Sequence, residues 1–223
     1  MTRPLSPYGR SKLATEWMVR DAMSAHGLQH IILRYFNVAG SDPMMRTGLF
    51  TPGATHVIKV AVEVALGKRP YFEIFGADYD TPDGTGIRDF IHVSDLADAH
   101  VEALLHLKQG GESATLNCGY GRGYSVREVL AAVRLVSGCD LPVRISARRP
   151  GDIAVSIADN ARIRSLLKWR PHFDDLPTII AHALAWERRL VGAAAQTTPG
   201  LAPDLGASDL AEPIRWHEQT APS

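Results

Sequence analysis

The sequence predicts an α/β protein with a parallel sheet, on two observations. Short apolar runs alternate along the chain with longer stretches of helical pattern, the order expected of β–α units. The runs are also continuous rather than alternating, as strands covered on both faces must be.

The elements follow in order. Ser6-Pro7 marks a helix start: serine caps free N–H groups, and proline suits the first helical position, where no N–H is needed. This helix is expected to reach His26 and stop at Gly27. Ile31 to Phe36 reads as a buried strand, and residues 40–54, with Gly40, Pro43, Gly48, Pro52 and Gly53, as a loop. A helix then runs from a Thr55 cap to a Gly67 stop. Tyr71 to Phe75 is a strand, Gly76 to Gly86 a polar loop, and Asp95 the cap of a helix to about Leu107. Ala114 to Cys118 is a strand. Ser125-Val126-Arg127-Glu128 matches a capping box and opens a helix that ends before Gly138. Val143 to Ser146 is a strand, and residues 159–168 and 176–191 are helical. From about Gly192 the chain carries Pro199, Pro203, Pro213 and Pro222 among small residues and is expected to be a mostly disordered tail.

Composition narrows the function classes. The 223 residues suffice for one large domain or parts of two. Lys plus Arg and Asp plus Glu are 24 each, so there is no overall basic field and no reason to expect a nucleic-acid partner. An anionic ligand must therefore be met by local arginines. Cys118 and Cys139 form neither a C-x-x-C pair nor a disulfide framework, and no histidine pair has metal-ligand spacing. No apolar run is long enough to span a bilayer, and no apolar stretch follows Met1-Thr2-Arg3-Pro4 as in a secretory signal. The expectation is a cytoplasmic protein without membrane contact.

Tyr8 and Lys12 are the first residues that carry chemistry. Four apart on a helix, they share a face. An ammonium beside a phenol favours the phenolate, which makes a general acid or base of it. That spacing alone is common on solvated helices. Its neighbours add weight. Ser6-Pro7-Tyr8-Gly9-Arg10-Ser11-Lys12 resembles the S-P-Y-x-x-S-K segment of extended short-chain dehydrogenases/reductases. Leu33-Arg34-Tyr35-Phe36-Asn37-Val38-Ala39-Gly40 is similar to the strand and loop that follow it there. The segment from Asp83-Gly84-Thr85-Gly86-Ile87-Arg88-Asp89-Phe90-Ile91-His92 to Ala97 resembles one typical of UDP-galactose 4-epimerases, and Arg149-Pro150-Gly151-Asp152 completes the series in the expected order.

The resemblance implies a fold, a reaction and a set of site residues. Residues 1–191 would hold the C-terminal part of a Rossmann-type sheet interleaved with a smaller α/β nucleotide-sugar-binding domain, and 192–223 the tail. The reaction would be epimerisation at C4 of a UDP-hexose through a 4-keto sugar, with NAD as the hydride acceptor and donor. Tyr8 would take the 4-hydroxyl proton. Lys12 would hold the nicotinamide ribose, and Tyr35 would also border the cofactor. Asn37 would contact the diphosphate or the sugar. His56, which stands where an asparagine is common, and Val57 would lie near the diphosphate. Phe75 and the backbone around Glu73 would wall the uracil. Phe90 lies in the family segment beside the substrate, and Asp152 would bind the ribose. Arg88 and Arg149 suit the diphosphate on chemical grounds too, because a guanidinium can bind phosphate oxygens through two parallel hydrogen bonds. By the same resemblance Ser156 would hold the position beside the sugar 2-substituent. A bulky aromatic there restricts the pocket, whereas serine leaves room for an N-acetyl group.

Two further readings complete the picture. Gly119-Tyr120-Gly121-Arg122-Gly123, between a strand and a helix, looks like a dinucleotide loop. Its third glycine comes one residue too early, however, and Asp140 precedes the next strand instead of ending it, so a structural turn is expected. No other phosphate-binding glycine loop occurs. In the family that loop lies well before the tyrosine, and four or five β–α units amount to roughly 100–150 residues. The expectation is a C-terminal portion, either a partial reading frame or a degenerate remnant. Other nucleotide-sugar epimerases or dehydratases, and a non-catalytic UDP-binding module, remain as alternative readings. The family often forms homodimers through a helix bundle, which makes a homodimer an option for this chain.

Overall fold

The computed structural model describes residues 2–4 and 6–196. Helix α1 (Pro7–His26) starts and stops as its sequence predicts. The Ser6 hydroxyl accepts from the Gly9 amide at 3.1 Å, and Gly27, at φ 64°, returns its N–H to the last turn. Strand β1 (Ile31–Tyr35) follows and ends one residue before Phe36. After β2 (Asn37–Ala39) and the long loop come α2 (Val57–Ala65), β3 (Phe72–Phe75) and β4 (Ile87–His92). Then come α3 (Val93–Lys108), β5 (Ala114–Cys118), β6 (Gly123–Ser125) and α4 (Val126–Ser137). Strands β7 (Val143–Ser146) and β8 (Val155–Ser156) and helices α5 (Ala161–Leu166) and α6 (Leu176–Gln196) complete the order.

Most strand pairings are parallel, as expected of an α/β chain. Strand β1 pairs with β5, β3 with β7, and β4 with both β2 and β8; among the described residues only the β4–β6 pair is antiparallel. Helices α2, α4 and α6 pack on one another. Their apolar faces join the inner residues of β3, β4 and β5 in one core, with Val62, Ile74, Ile91, Leu116, Val129, Trp169 and Ile180 almost fully buried.

Two predicted caps are corrected. Thr55 lies outside α2: the His56 carbonyl already accepts the first intrahelical bond from Val60 at 2.9 Å, and His56 is the cap without a side-chain bond. Asp95 is inside α3. Strand β4 runs directly into that helix, and His92 Nδ1 takes the Ser94 amide at 3.1 Å. The Asp95 carboxylate is thereby left to accept the Tyr120 hydroxyl and the amides of His172 (2.8 Å) and Phe173 (3.0 Å). The capping box at Ser125 is present, with both of its bonds made. Helix α6 continues through Gln196, past the expected start of the tail, and the rest of that tail lies outside the described residues. Among the described residues, no helix is long and apolar enough to cross a membrane.

Candidate active site

Two cavities meet at the N-terminus of α2. One, of about 450 Å³, is walled by Glu73 and Phe75 of β3, Tyr79 of the following turn, Arg88 of β4, and Arg149 and Asp152 of the loop after β7. The other, of about 320 Å³, is lined by Asn37, His56 and Phe90 above Lys59 and Glu187. Val57 lines both. Asn37 and Phe90 are brought together because they face each other in the β2–β4 ladder. Nine of the sequence-predicted residues, scattered from position 37 to 152, thus line one continuous region.

The arginines in this region have different surroundings. Strand β4 carries Arg88 into the wall, where its guanidinium donates to the Ile87 carbonyl at 2.8 Å and the Ala154 carbonyl at 3.3 Å. Among the described residues no carboxylate lies within ion-pair distance of it. Burial pushes it below the ordinary arginine value, and the charges of Asp152 and Tyr79 oppose that push. Arg149 stacks over the Phe75 ring, 4.7 Å from its centroid, and pairs with Asp152 at 3.0 Å. A partly buried guanidinium with spare N–H groups and a second one on an aromatic wall form a receptor for an anion attached to a flat ring.

Ser156 lies opposite Arg88 in the β4–β8 pairing, half-buried and outside the lining of both cavities. Tyr8, Lys12 and Tyr35 also line neither cavity. Tyr8 is 72% exposed, with the Lys12 ammonium 5.3 Å from its ring centroid, so the pair does share one helix face. Tyr35 is exposed at the end of β1. A phosphate cradle for the cofactor is not found in the Gly119–Gly123 turn: the amides of Tyr120 and Gly121 point at the fully buried Asp89 carboxylate, at 3.1 and 2.9 Å. A Cβ on Gly119 would come within 2.8 Å of the same carboxylate. The turn is therefore structural, as its spacing suggested, and binds an internal anion.

Two features were not singled out from the sequence. Tyr79 is a cavity wall inside a stretch read only as polar loop. Lys59 and Glu187 form a buried ion pair under the second cavity, joined by Lys68 at 2.8 Å from Glu187. Their separation of 128 residues leaves no local pattern to read. His92, which lies in the segment shared with the 4-epimerases, is fully buried and meets His182 at 3.0 Å between their ring nitrogens. Among the described residues no group of three or more His, Cys, Asp or Glu could hold a metal.

The sequence model of the NAD dependent epimerase/dehydratase family matches residues 1–119, more than half of the chain. The chain belongs to that family. Within it, the chain is 61% identical over 189 residues to a UDP-glucose 4-epimerase of Azospirillum brasilense, covering 85% of this chain and 54% of that protein. Among solved structures it resembles a Stenotrophomonas maltophila UDP-glucose-4-epimerase with bound NAD and formylated UDP-arabinopyranose, at TM-score 0.81 and 40% identity. That match covers 86% of this chain and 57% of the other. A UDP-Glc/GlcNAc 4-epimerase from Campylobacter jejuni matches at TM-score 0.68 and 51% identity, covering 84% and 57%. The chain spans about half the length of the epimerases it matches. Its α/β architecture with parallel pairings agrees with these Rossmann-type relatives.

Proposed function

We propose that this chain forms the nucleotide-sugar-binding and acid/base part of a UDP-hexose 4-epimerase. The observation that carries the reading is the convergence of Arg88, Arg149, Phe75 and Asp152 on one cavity, with Arg88 partly buried and outside any described ion pair. In this reading Phe75 and the Glu73 backbone flank the uracil and Asp152 accepts from the ribose. Arg88 and Arg149 hold the diphosphate with help from Asn37, His56 and Val57, and Phe90 borders the sugar. NAD, when bound, supplies the hydride acceptor for C4. Lys12 would hold its ribose, with Tyr8 and Tyr35 alongside, and the relatives' remaining length would carry its phosphate-binding part. Tyr8 removes the proton of the 4-hydroxyl and later returns it.

Ser156, small and opposite Arg88, supports acceptance of N-acetylated sugars as well. Equal turnover of both sugar pairs by the unmodified chain and by Ser156→Tyr would remove that part of the reading. The location is proposed to be cytoplasmic and the assembly a homodimer.

The test is interconversion of UDP-galactose and UDP-glucose in the presence of NAD, with Tyr8→Phe as control. Turnover that disappears in the variant supports the epimerase. UDP binding without turnover, and without NAD retained, supports instead a non-catalytic UDP-binding role. That second reading is favoured by the exposure of Tyr8. A panel of nucleotide sugars separates a 4-epimerase from a dehydratase on the same scaffold.

A further inference from the structure

We propose that Arg148 is a positioning residue, which straps the loop carrying Arg149 and Asp152 to the turn that follows β3. Its effect on ligand rests on the reading of this cavity as the UDP site. The β3–β7 ladder ends at Phe75 and Ser146, with the Gly76 amide donating to the Ser146 carbonyl at 2.8 Å. Beyond that point both segments line the cavity, with Tyr79 from one and Arg149 and Asp152 from the other. The loop after β7 is ordered internally by the Arg149–Asp152 pair and by the Asp152 amide on the Arg149 carbonyl at 3.2 Å. Neither bond fixes where the loop sits, and the stack of Arg149 on Phe75 ties it to the end of β3 but not to the turn beyond.

Arg148 supplies that attachment. Its Nε lies 2.7 Å from Asp78 Oδ1, and a second guanidinium nitrogen donates to the Asp78 carbonyl. Its Cζ is 4.2 Å from the centroid of the Tyr79 ring, and that ring is itself a cavity wall with only 7% exposure. The fit is close. Gly76 has φ 83°, and a Cβ there would come within 2.6 Å of Arg148 Cγ and 2.7 Å of Tyr79 Cε2. One side chain therefore grips the backbone, the carboxylate and the aromatic wall of the opposite turn. The Arg148 hydrogen bond also holds the Asp78 carboxyl below the usual carboxylate range. Both partners are largely exposed, at 45% and 76% of their side chains, so the pair contributes little to global stability. Its consequence is the placement of Arg149 and Asp152.

The experiment compares the unmodified chain with Arg148→Ala and Arg148→Lys by hydrogen exchange and by calorimetric titration with UDP. Unchanged far-UV circular dichroism and thermal midpoint establish that the variants fold. The expected result is faster exchange over residues 147–153 in Arg148→Ala, with core strands unchanged, and UDP binding weaker by about tenfold. Arg148→Lys, which keeps the charge toward Asp78 but not the planar stack, should recover part of both. Unchanged exchange over 147–153 in Arg148→Ala overturns the strap. Faster exchange with unchanged UDP affinity overturns its role in the site. Absence of UDP binding by the unmodified chain refutes the UDP reading itself, and the exchange comparison then decides the strap alone.

Discussion

The two ends of the candidate site rest on very different foundations. The cavity walls stand on α2, α4 and α6 and on the inner faces of β3 and β4, where whole side chains such as Trp169, Ile180 and Val62 are removed from water. The Tyr8–Lys12 pair stands on α1, of which Glu16 is the one buried residue. That helix is held to β1 by a bidentate Glu16–Arg34 pair, 2.6 Å on both arms, and to β5 by Arg20 on the Thr115 hydroxyl at 2.9 Å. Strand β1 is half-buried, and Trp17, Met18 and Tyr35 are largely exposed. Apolar burial is the dominant favourable contribution to folding, whereas ion pairs near the surface add little. In the proposed reading, nucleotide binding and proton transfer are therefore separable: the wall does not depend on the helix that carries the tyrosine.

The separation can be broken from either side. The largest expected effect is that of Tyr8→Phe. In an assembly that turns over UDP-galactose it should lower the rate roughly 10²–10⁴-fold, the range for loss of a general acid/base. UDP affinity measured by calorimetry should not change. Next is Arg88→Ala. Loss of a charged hydrogen-bond donor to phosphate costs about 1.5–3 kcal/mol, so UDP binding should weaken by roughly 10–100-fold while the α1 amides exchange as before.

Acid should sharpen the contrast on the packed side. Burial, reinforced by the neighbouring His182 and opposed by Asp95 and Asp42, pushes His92 down to about 4 from its ordinary 6.5. The folded chain thus resists the proton that the unfolded chain accepts. Stability is fully present above pH 6.5, falls as the pH drops toward about 4, and levels off below. The slope from this group approaches ~1.4 kcal/mol per pH unit. The geometry gives the reason. His92 Nδ1 accepts the Ser94 amide, so Nε2 carries the proton toward His182, and a second proton has no acceptor. Denaturant unfolding at several pH values should show the slope in the unmodified chain and lose it in His92→Gln. The smallest effect is expected for Glu16→Gln, which removes the charge that docks α1. Exchange should quicken along α1, by no more than about 1 kcal/mol in local opening, with the cavity walls unaffected.

The sequence revealed the elements whose signals are local. Ser6, Pro7 and Gly27 bounded α1, and the Ser125 box opened α4, because capping chemistry depends on residues a few positions apart. Strand β4 escaped the apolar pattern because Arg88 and Asp89 interrupt it. Arg88 faces a cavity, and the buried Asp89 carboxylate organises the Gly119–Gly121 turn. Strands β2, β6 and β8, of three, three and two residues, are too short to carry a period. In the site, Arg88 and Arg149 could be picked out as candidate phosphate ligands because a guanidinium can bind phosphate oxygens in pairs. Tyr79 could not, because its role depends on how one polar loop meets another. The Lys59–Glu187 pair lay beyond reach for the same reason, since packing of α2 on α6 creates it.

The most direct test of the account is calorimetric titration of UDP into this chain and into its Arg149→Ala variant, both verified as folded. The account predicts saturable one-to-one binding by the unmodified chain and binding at least about tenfold weaker in the variant. No heat of binding in the unmodified chain, or equal affinity in the two, would contradict it.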